Sequence, residues 1–226
     1  VALGGSLLDI GCLGFGEVTN ARALDRTDVK HFGVDYMPPP VGTLPENYSF
    51  KQANLDEGGL PYADDSFDGI VASHVIEHLK NPIGFVGECI RVCKPGGVIY
   101  IEAPSERSVF LPGMPFQHDM FYSLSYYDDP THQSRPWTPQ SLYRLACYFG
   151  CTPVVAGYIT SWKHRLALIV TLPYALITRN GWLLERSIWL SVGWSSHLLL
   201  RKPADARGRM PFSYFVPERR LHRDDR

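Results

Sequence analysis

The chain has 226 residues, 45% apolar and 20% charged, an ordinary globular balance that excludes a disordered, collagenous or coiled-coil chain as a whole. Twenty-two basic and 23 acidic side chains leave a formal charge of −1, so no global basic field points to nucleic acid, and none is expected as a partner. Five cysteines without a C-x-x-C pair form neither a disulfide framework nor a zinc site, and they fit a reducing, cytoplasmic setting.

Val1 is not an initiator Met, and no basic leader followed by an apolar stretch precedes the first strand. No secretory signal peptide is expected, and the start reads as truncated. Residues 7–10 (LLDI) are a short apolar run ended by glycines, which suits a buried parallel strand. Further strands are expected at 31–35, 48–53, 67–73 and 98–103, with helices at about 16–24 and 82–92. Such alternation implies a parallel sheet covered on both faces. Lys94-Pro95-Gly96-Gly97 reads as a helix stop and a tight turn into the fifth strand. The proline- and aromatic-rich residues 104–137 read as a long functional loop or lid. Thr138 caps a helix with Pro139 at its first position, and strands follow at 152–159 and 197–200.

Asp9-Ile10-Gly11-Cys12-Leu13-Gly14-Phe15-Gly16 leaves the first strand and opens a helix. Glycines there allow positive φ and close backbone approach to a ligand, and a helix start offers free N–H groups to a carboxylate. Asp35 ends the next strand, 19 residues after Gly16, the place from which a carboxylate accepts hydrogen bonds from ribose hydroxyls. The pattern fits an adenosine-type ligand; the plainer reading is a tight turn of any α/β protein.

The text that follows separates the cofactors. Leu60-Pro61-Tyr62, Asp65-Ser66-Phe67-Asp68, His74-Val75-Ile76-Glu77-His78-Leu79 and Lys94-Pro95-Gly96-Gly97 stand in order at the expected spacings. Over residues 6–105 the chain closely resembles the class I S-adenosylmethionine-dependent methyltransferases, in their small-molecule branch. The resemblance implies a Rossmann-like, doubly wound α/β sheet of seven strands in the order 3-2-1-4-5-7-6, with strand 7 antiparallel. It implies S-adenosylmethionine as cofactor at the C-terminal ends of strands 1 and 2. Asp9, Gly11 and Cys12 would line the methionine half, Asp35 would take the ribose, and Tyr36 would lie beside the adenine. Asn54 and Leu55 stand where the family has an acid on the adenine amino group; Asn54 can accept there through its carbonyl. Ser73 and His74 would pass near the methionine and the transferred methyl. The family reads D-x-G-C-G-x-G where this chain has D-I-G-C-L-G-F-G; either a bulge around Leu13 keeps Gly14 and Gly16 in use, or the longer turn alters how the carboxylate end is held.

Methyl transfer from a sulfonium needs alignment above all, and a hydroxyl acceptor must also lose a proton. Histidine suits that role, and the expected catalytic residues are His132, with Asp129 as its orienter, and His78. The plainer readings are that His132 anchors its loop and that His78 supports the loop after strand 4 through Glu77. His118-Asp119 reads as a lid contact. His118, Asp119, Asp128, Asp129 and His132 could suit magnesium or calcium, but loop acids are ordinarily just solvated, and no metal is assigned. Cys12, Cys89, Cys93, Cys147 and Cys151 read as apolar fillers.

Residues 163–194 are an apolar helical insert before the last strand, too short in either run to span a bilayer. Its flanking Trp, Lys and Arg side chains suit a peripheral membrane contact; two helices packed on the sheet, or a homodimer interface, are the plainer readings. Residues 1–200 thus form one domain, followed by a mobile tail, 201–226, with eight basic and four acidic residues. The expected activity is methyl transfer to a small-molecule acceptor, at an oxygen of a sugar, lipid-linked glycan or secondary metabolite, in the cytoplasm or at the inner face of the membrane. The alternative is an inactive methyltransferase-like binding module.

Overall fold

In the computed structural model, which describes residues 1, 3–116 and 122–204, β1 (Ser6–Ile10) is the central strand. It pairs in parallel with β2 (Lys30–Asp35) and β4 (Phe67–Ser73). β3 (Tyr48–Gln52) extends β2, and β5 (Cys93–Pro104) extends β4, both in parallel. β7 (Ser195–Arg201) runs antiparallel between β5 and β6 (Thr152–Tyr158). The order is therefore β3-β2-β1-β4-β5-β7-β6, as the resemblance implied. Leu8, Ile10, Ile70, Ile99, Ile101 and Leu198 are buried because central strands meet helices on both faces.

The helices are α1 (Gly16–Ala23), α2 (Pro82–Val92), α3 (Pro139–Tyr148), α4 (Trp162–Thr178) and α5 (Gly181–Val192). α2 starts where Asn81 accepts from Gly84 N, with Pro82 at the first position, and buries Phe85, Val86, Cys89 and Ile90 at helical spacing. Thr138 caps α3 by accepting from Ser141 N. Short 3₁₀ turns at Ile76–His78 and Tyr126–Asp128 hold the loops above β4 and before α3.

The Lys94-Pro95-Gly96-Gly97 segment differs from the expected turn. It lies within β5 as a wide bulge, where the register jumps from Phe67↔Cys93 to Gly69↔Val98. Pro95 has no N–H to give the ladder and Gly96 sits at φ 78°, so the extra residues loop out. The expected tail also differs at its start. Arg201 ends β7, and Lys202 Nζ is held by Asp65 Oδ1 (2.7 Å) and by the carbonyls of Ile90 and Cys93. Residues 205–226 lie outside the described residues.

The helical insert is an α4–α5 hairpin. Ser161 caps α4, and Asn180 caps α5 by accepting from Leu183 N. One side buries Ala175 and Leu184 against Leu124. The other side of α4 exposes Trp162, Leu166, Ile169, Val170 and Ile177. No helix among the described residues is long and apolar enough to cross a membrane.

Candidate active site

β1, β2, β4 and β5 run in parallel, so their C-terminal ends share one edge of the sheet. β7 runs the other way and brings its first residue there, with Ser73 opposite Glu102 and Pro104 opposite Ser195. Open α/β sheets bind ligands at such an edge.

Gly11 turns the chain there. It has φ 73°, donates to Val34 O (2.9 Å), and a Cβ on it would lie 2.8 Å from Val75 Cγ2. The glycine turn therefore touches the loop after β4, and only glycine fits both the backbone angle and the space. Leu13 projects to solvent, 44% exposed. Gly14 has φ 100° and Phe15 φ 52°. Phe15 packs edge-on against Tyr48, so the additional residue is taken up by an outward bulge. Gly16 opens α1, which no side chain caps, leaving its first N–H groups free for a ligand. The Cys12 side chain is buried and packs inward beside Tyr48 and Gly33, which leaves only its backbone to meet a ligand. Burial pushes its thiol up.

Asp9 is the most perturbed acid at this edge. Burial, then the charges of Glu17 and Asp35, push it up from 3.8 to about 7. A desolvated carboxylate with two further acids close enough to act on it favours a cationic ligand. Asp35 Oδ1 accepts from Met37 N (3.0 Å) at the end of β2, and Tyr36 beside it is exposed. Ala53 N donates to Asp35 O and Gln52 Nε2 to Tyr36 O, so Asn54 and Leu55 follow directly beside the β2 end. Asn54 Oδ1 accepts from Asp56 N (3.1 Å), which uses part of its acceptor capacity. Ser73 is exposed at the end of β4.

The next residue, His74, sits at φ 55°. Its Nδ1 lies 3.0 Å from Glu77 Oε1 and its Nε2 3.3 Å from Glu102 Oε1. Burial alone would lower the imidazole, but Glu102 and Glu77 outweigh it and raise it to about 9. His74 is thus a cation at neutral pH and cannot serve as a base there. Burial works to raise Glu102, yet His74 and Tyr100 hold it below the usual carboxylate range. Trp189 of α5 and Trp194 stack at 3.8 Å with planes 6° apart, and His74 tilts against both. The indole N–H groups donate to Ser123 O and Leu124 O. The insert therefore walls the site with α5 and keeps only the outer side of α4 free. Glu102 had a signal in the sequence, a lone acid in an apolar strand. Trp189 and Trp194, which stand among the tryptophans that the sequence suggests for a membrane interface, instead turn inward, Trp194 being 2% exposed, because their place depends on how the hairpin folds back.

His78 and His132, far apart in sequence, come together with ring centroids 4.9 Å apart. His132 Nδ1 meets Tyr126 O at 2.7 Å, and Nε2 stands 3.9 Å from Asp129 Oδ2. His78 Nδ1 meets Thr131 Oγ1 at 2.9 Å, and that hydroxyl lies 2.6 Å from Asp129 Oδ1. Asp129 therefore orients His78 through Thr131 as well as facing His132. Asp128 is occupied as a cap, accepting from Met114, Leu124 and Ser125 N–H groups. His118 and Asp119 lie outside the described residues.

A seven-stranded sheet of this order, with its glycine turn and acid at the β1 and β2 ends, defines the class I, Rossmann-like methyltransferase fold. Residues 8–101 match the methyltransferase domain family. The chain is similar to a probable S-adenosylmethionine-dependent methyltransferase of Mycolicibacterium smegmatis, 36% identical over 113 residues, 49% of this chain and 42% of that protein. It is also similar to a demethylmenaquinone methyltransferase of Tropheryma whipplei, 30% identical over 105 residues, 45% of this chain and 42% of the relative. The chain thus matches less than half the length of these relatives. A methyltransferase structure from Archaeoglobus fulgidus superposes with a TM-score of 0.57 at 22% identity, covering 88% of this chain and 86% of that one.

Proposed function

We propose that the chain transfers a methyl group from S-adenosylmethionine to a hydroxyl oxygen of a small, partly apolar acceptor. The observation that carries this reading is Asp9, a desolvated carboxylate held at about 7 beside Glu17 and Asp35, at the turn where a cofactor bearing a sulfonium and an ammonium would lie. Gly11, Cys12, Gly14 and Gly16 supply backbone to its methionine end, Asp35 the ribose contact, Tyr36, Asn54 and Leu55 the adenine surroundings, and Ser73 the approach to the methyl.

Held there, S-adenosylmethionine would supply an activated methyl group to the acceptor oxygen, with S-adenosylhomocysteine as the leaving thioether. The His78–His132 pair is the group that promotes loss of the acceptor's proton. Protonated His74 stabilises the oxygen side with its charge and is itself held by Glu77 and Glu102. Trp189 and Trp194 support an apolar acceptor wall, in keeping with the relative named for demethylmenaquinone. The acceptor class this favours is a lipid-linked glycan or another apolar metabolite.

The exposed side of α4 fits a peripheral place at the inner face of a membrane. Its sequence has no acid, Lys163 and Arg179 stand at its two ends in the sequence, and the Arg186 guanidinium of α5 lies 5.7 Å from the Trp182 ring centroid. Calorimetry should find one S-adenosylmethionine per chain, weakened by roughly 1–3 kcal/mol in Asp35→Ala. Unchanged affinity in a folded Asp35→Ala would remove Asp35 from the site, and binding without turnover on any acceptor would favour a binding module. Co-sedimentation with anionic vesicles should be salt-sensitive, each basic residue near the surface contributing about 1 kcal/mol. A monodisperse protein that stays in solution at low salt would end the membrane reading and leave a subunit interface.

A further inference from the structure

Glu77 is fully buried. One carboxylate oxygen faces His74, while Oε2 is buried with no hydrogen-bond partner. Leaving such an oxygen unsatisfied is costly, more so for a charged group, so something is expected to meet it. A Glu77 carboxylate oxygen, a ring nitrogen of His78 and one of His132 all lie within 4.8 Å of one another.

The hydrogen bonds around the two rings assign their tautomers. Tyr126 O can only accept, so His132 Nδ1 carries the proton and donates to it. The Thr131 hydroxyl donates to Asp129 Oδ1, so it accepts from His78 Nδ1–H. Both rings therefore keep the Nε2 lone pair for a ligand. An imidazole whose other nitrogen donates to a carbonyl, or to a carboxylate through a hydroxyl, is the arrangement that orients metal ligands. Two imidazoles and one carboxylate suit zinc or manganese better than calcium or magnesium, which take all-oxygen sets.

We propose that Glu77, His78 and His132 bind a divalent transition-metal ion, zinc or manganese, with open positions toward the acceptor. Closing the three ligand atoms around an ion at about 2.1 Å requires them to draw in by roughly 1 Å. The half-buried His78 can do so by a small ring movement. The ion gives Glu77 Oε2 its missing partner. That the ion also holds the acceptor's oxygen and lowers its pKa rests on the methyl-transfer reading. In that case the two histidines promote proton loss as ligands, and the proton passes to water. The binding of the ion does not depend on that reading.

The test uses the full chain after dialysis against a chelator. Zinc and manganese are titrated by calorimetry, and manganese binding is followed by loss of the free-ion EPR signal. One ion per chain is expected, with at least tenfold weaker binding in both His78→Ala and His132→Ala. Glu77→Gln is made in parallel, and near-ultraviolet circular dichroism confirms that each variant is folded. S-adenosylmethionine binding to the metal-free protein is measured separately, so that a failed cofactor site is not mistaken for a failed metal site. If wild type binds neither ion below millimolar concentration, or if folded His78→Ala and His132→Ala bind as wild type does, the site is refuted.

Discussion

Asp9→Asn probes the centre of the cofactor edge because it keeps the shape and removes the titration. An ordinary Asp titrates near 3.8, and folding lifts this one to about 7. The folded state therefore binds more protons than the unfolded state between those two values, and stability must fall as pH rises through that window. The penalty is absent below pH 3.8 and complete above about 7, where the shift corresponds to about 4 kcal/mol, an upper figure for a side chain that is buried but not sealed. Asp9→Asn should thus be more stable than wild type at pH 8 by roughly 2–4 kcal/mol, with a gain that shrinks toward pH 5. Denaturant unfolding at pH 5, 6, 7 and 8 measures it. A bound cation reverses the logic, because it stabilises the ionised carboxylate. S-adenosylmethionine affinity in wild type should therefore tighten by more than about tenfold from pH 5.5 to 7, and that slope should vanish in Asp9→Asn. A stability difference independent of pH, or an Asp9→Asn protein less stable at pH 8, would refute the account of this acid.

His74 gives the opposite sign. Its folded value, raised to about 9, contributes stability that is complete below about 6.5 and lost as pH rises through 9. His74→Ala should cost about 2–3 kcal/mol at pH 6 and much less at pH 10, and an NMR titration of the imidazole below pH 7 would contradict this. Gly11→Ala should destabilise by roughly 1–3 kcal/mol, from the positive φ and the 2.8 Å approach to Val75; thermal unfolding checks it, and an unchanged midpoint would show that the turn can relax. His132→Ala should lower turnover by about 10²–10⁴ while leaving cofactor affinity alone, and a loss below tenfold at saturating acceptor would make the residue structural.

Local chemistry made the parallel half of the sheet legible. Alternating apolar strands and capped helices, the glycines after Asp9 and the acid ending β2 are short-range patterns, and each maps onto one element. Leu13 could be anticipated as a bulge because Gly11 and Gly14 supply the positive φ on either side. The Lys94-Pro95-Gly96-Gly97 segment was legible as a break but not as a strand bulge, since only the pairing with β4 decides whether residues at a break rejoin the ladder. The sequence alone also could not place Cys12, whose side chain turns inward because Gly33, on the neighbouring strand, leaves it room. The meeting of His78 with His132, and of His74 with Glu102, Trp189 and Trp194, was decided by tertiary structure alone. Those contacts join residues separated by 28 to 120 positions: His132 reaches His78 because Gln133 N and Ser134 N donate to Glu77 O, Glu102 reaches His74 because β4 and β5 pair in parallel, and the tryptophans arrive because β7 runs antiparallel and starts at that same edge.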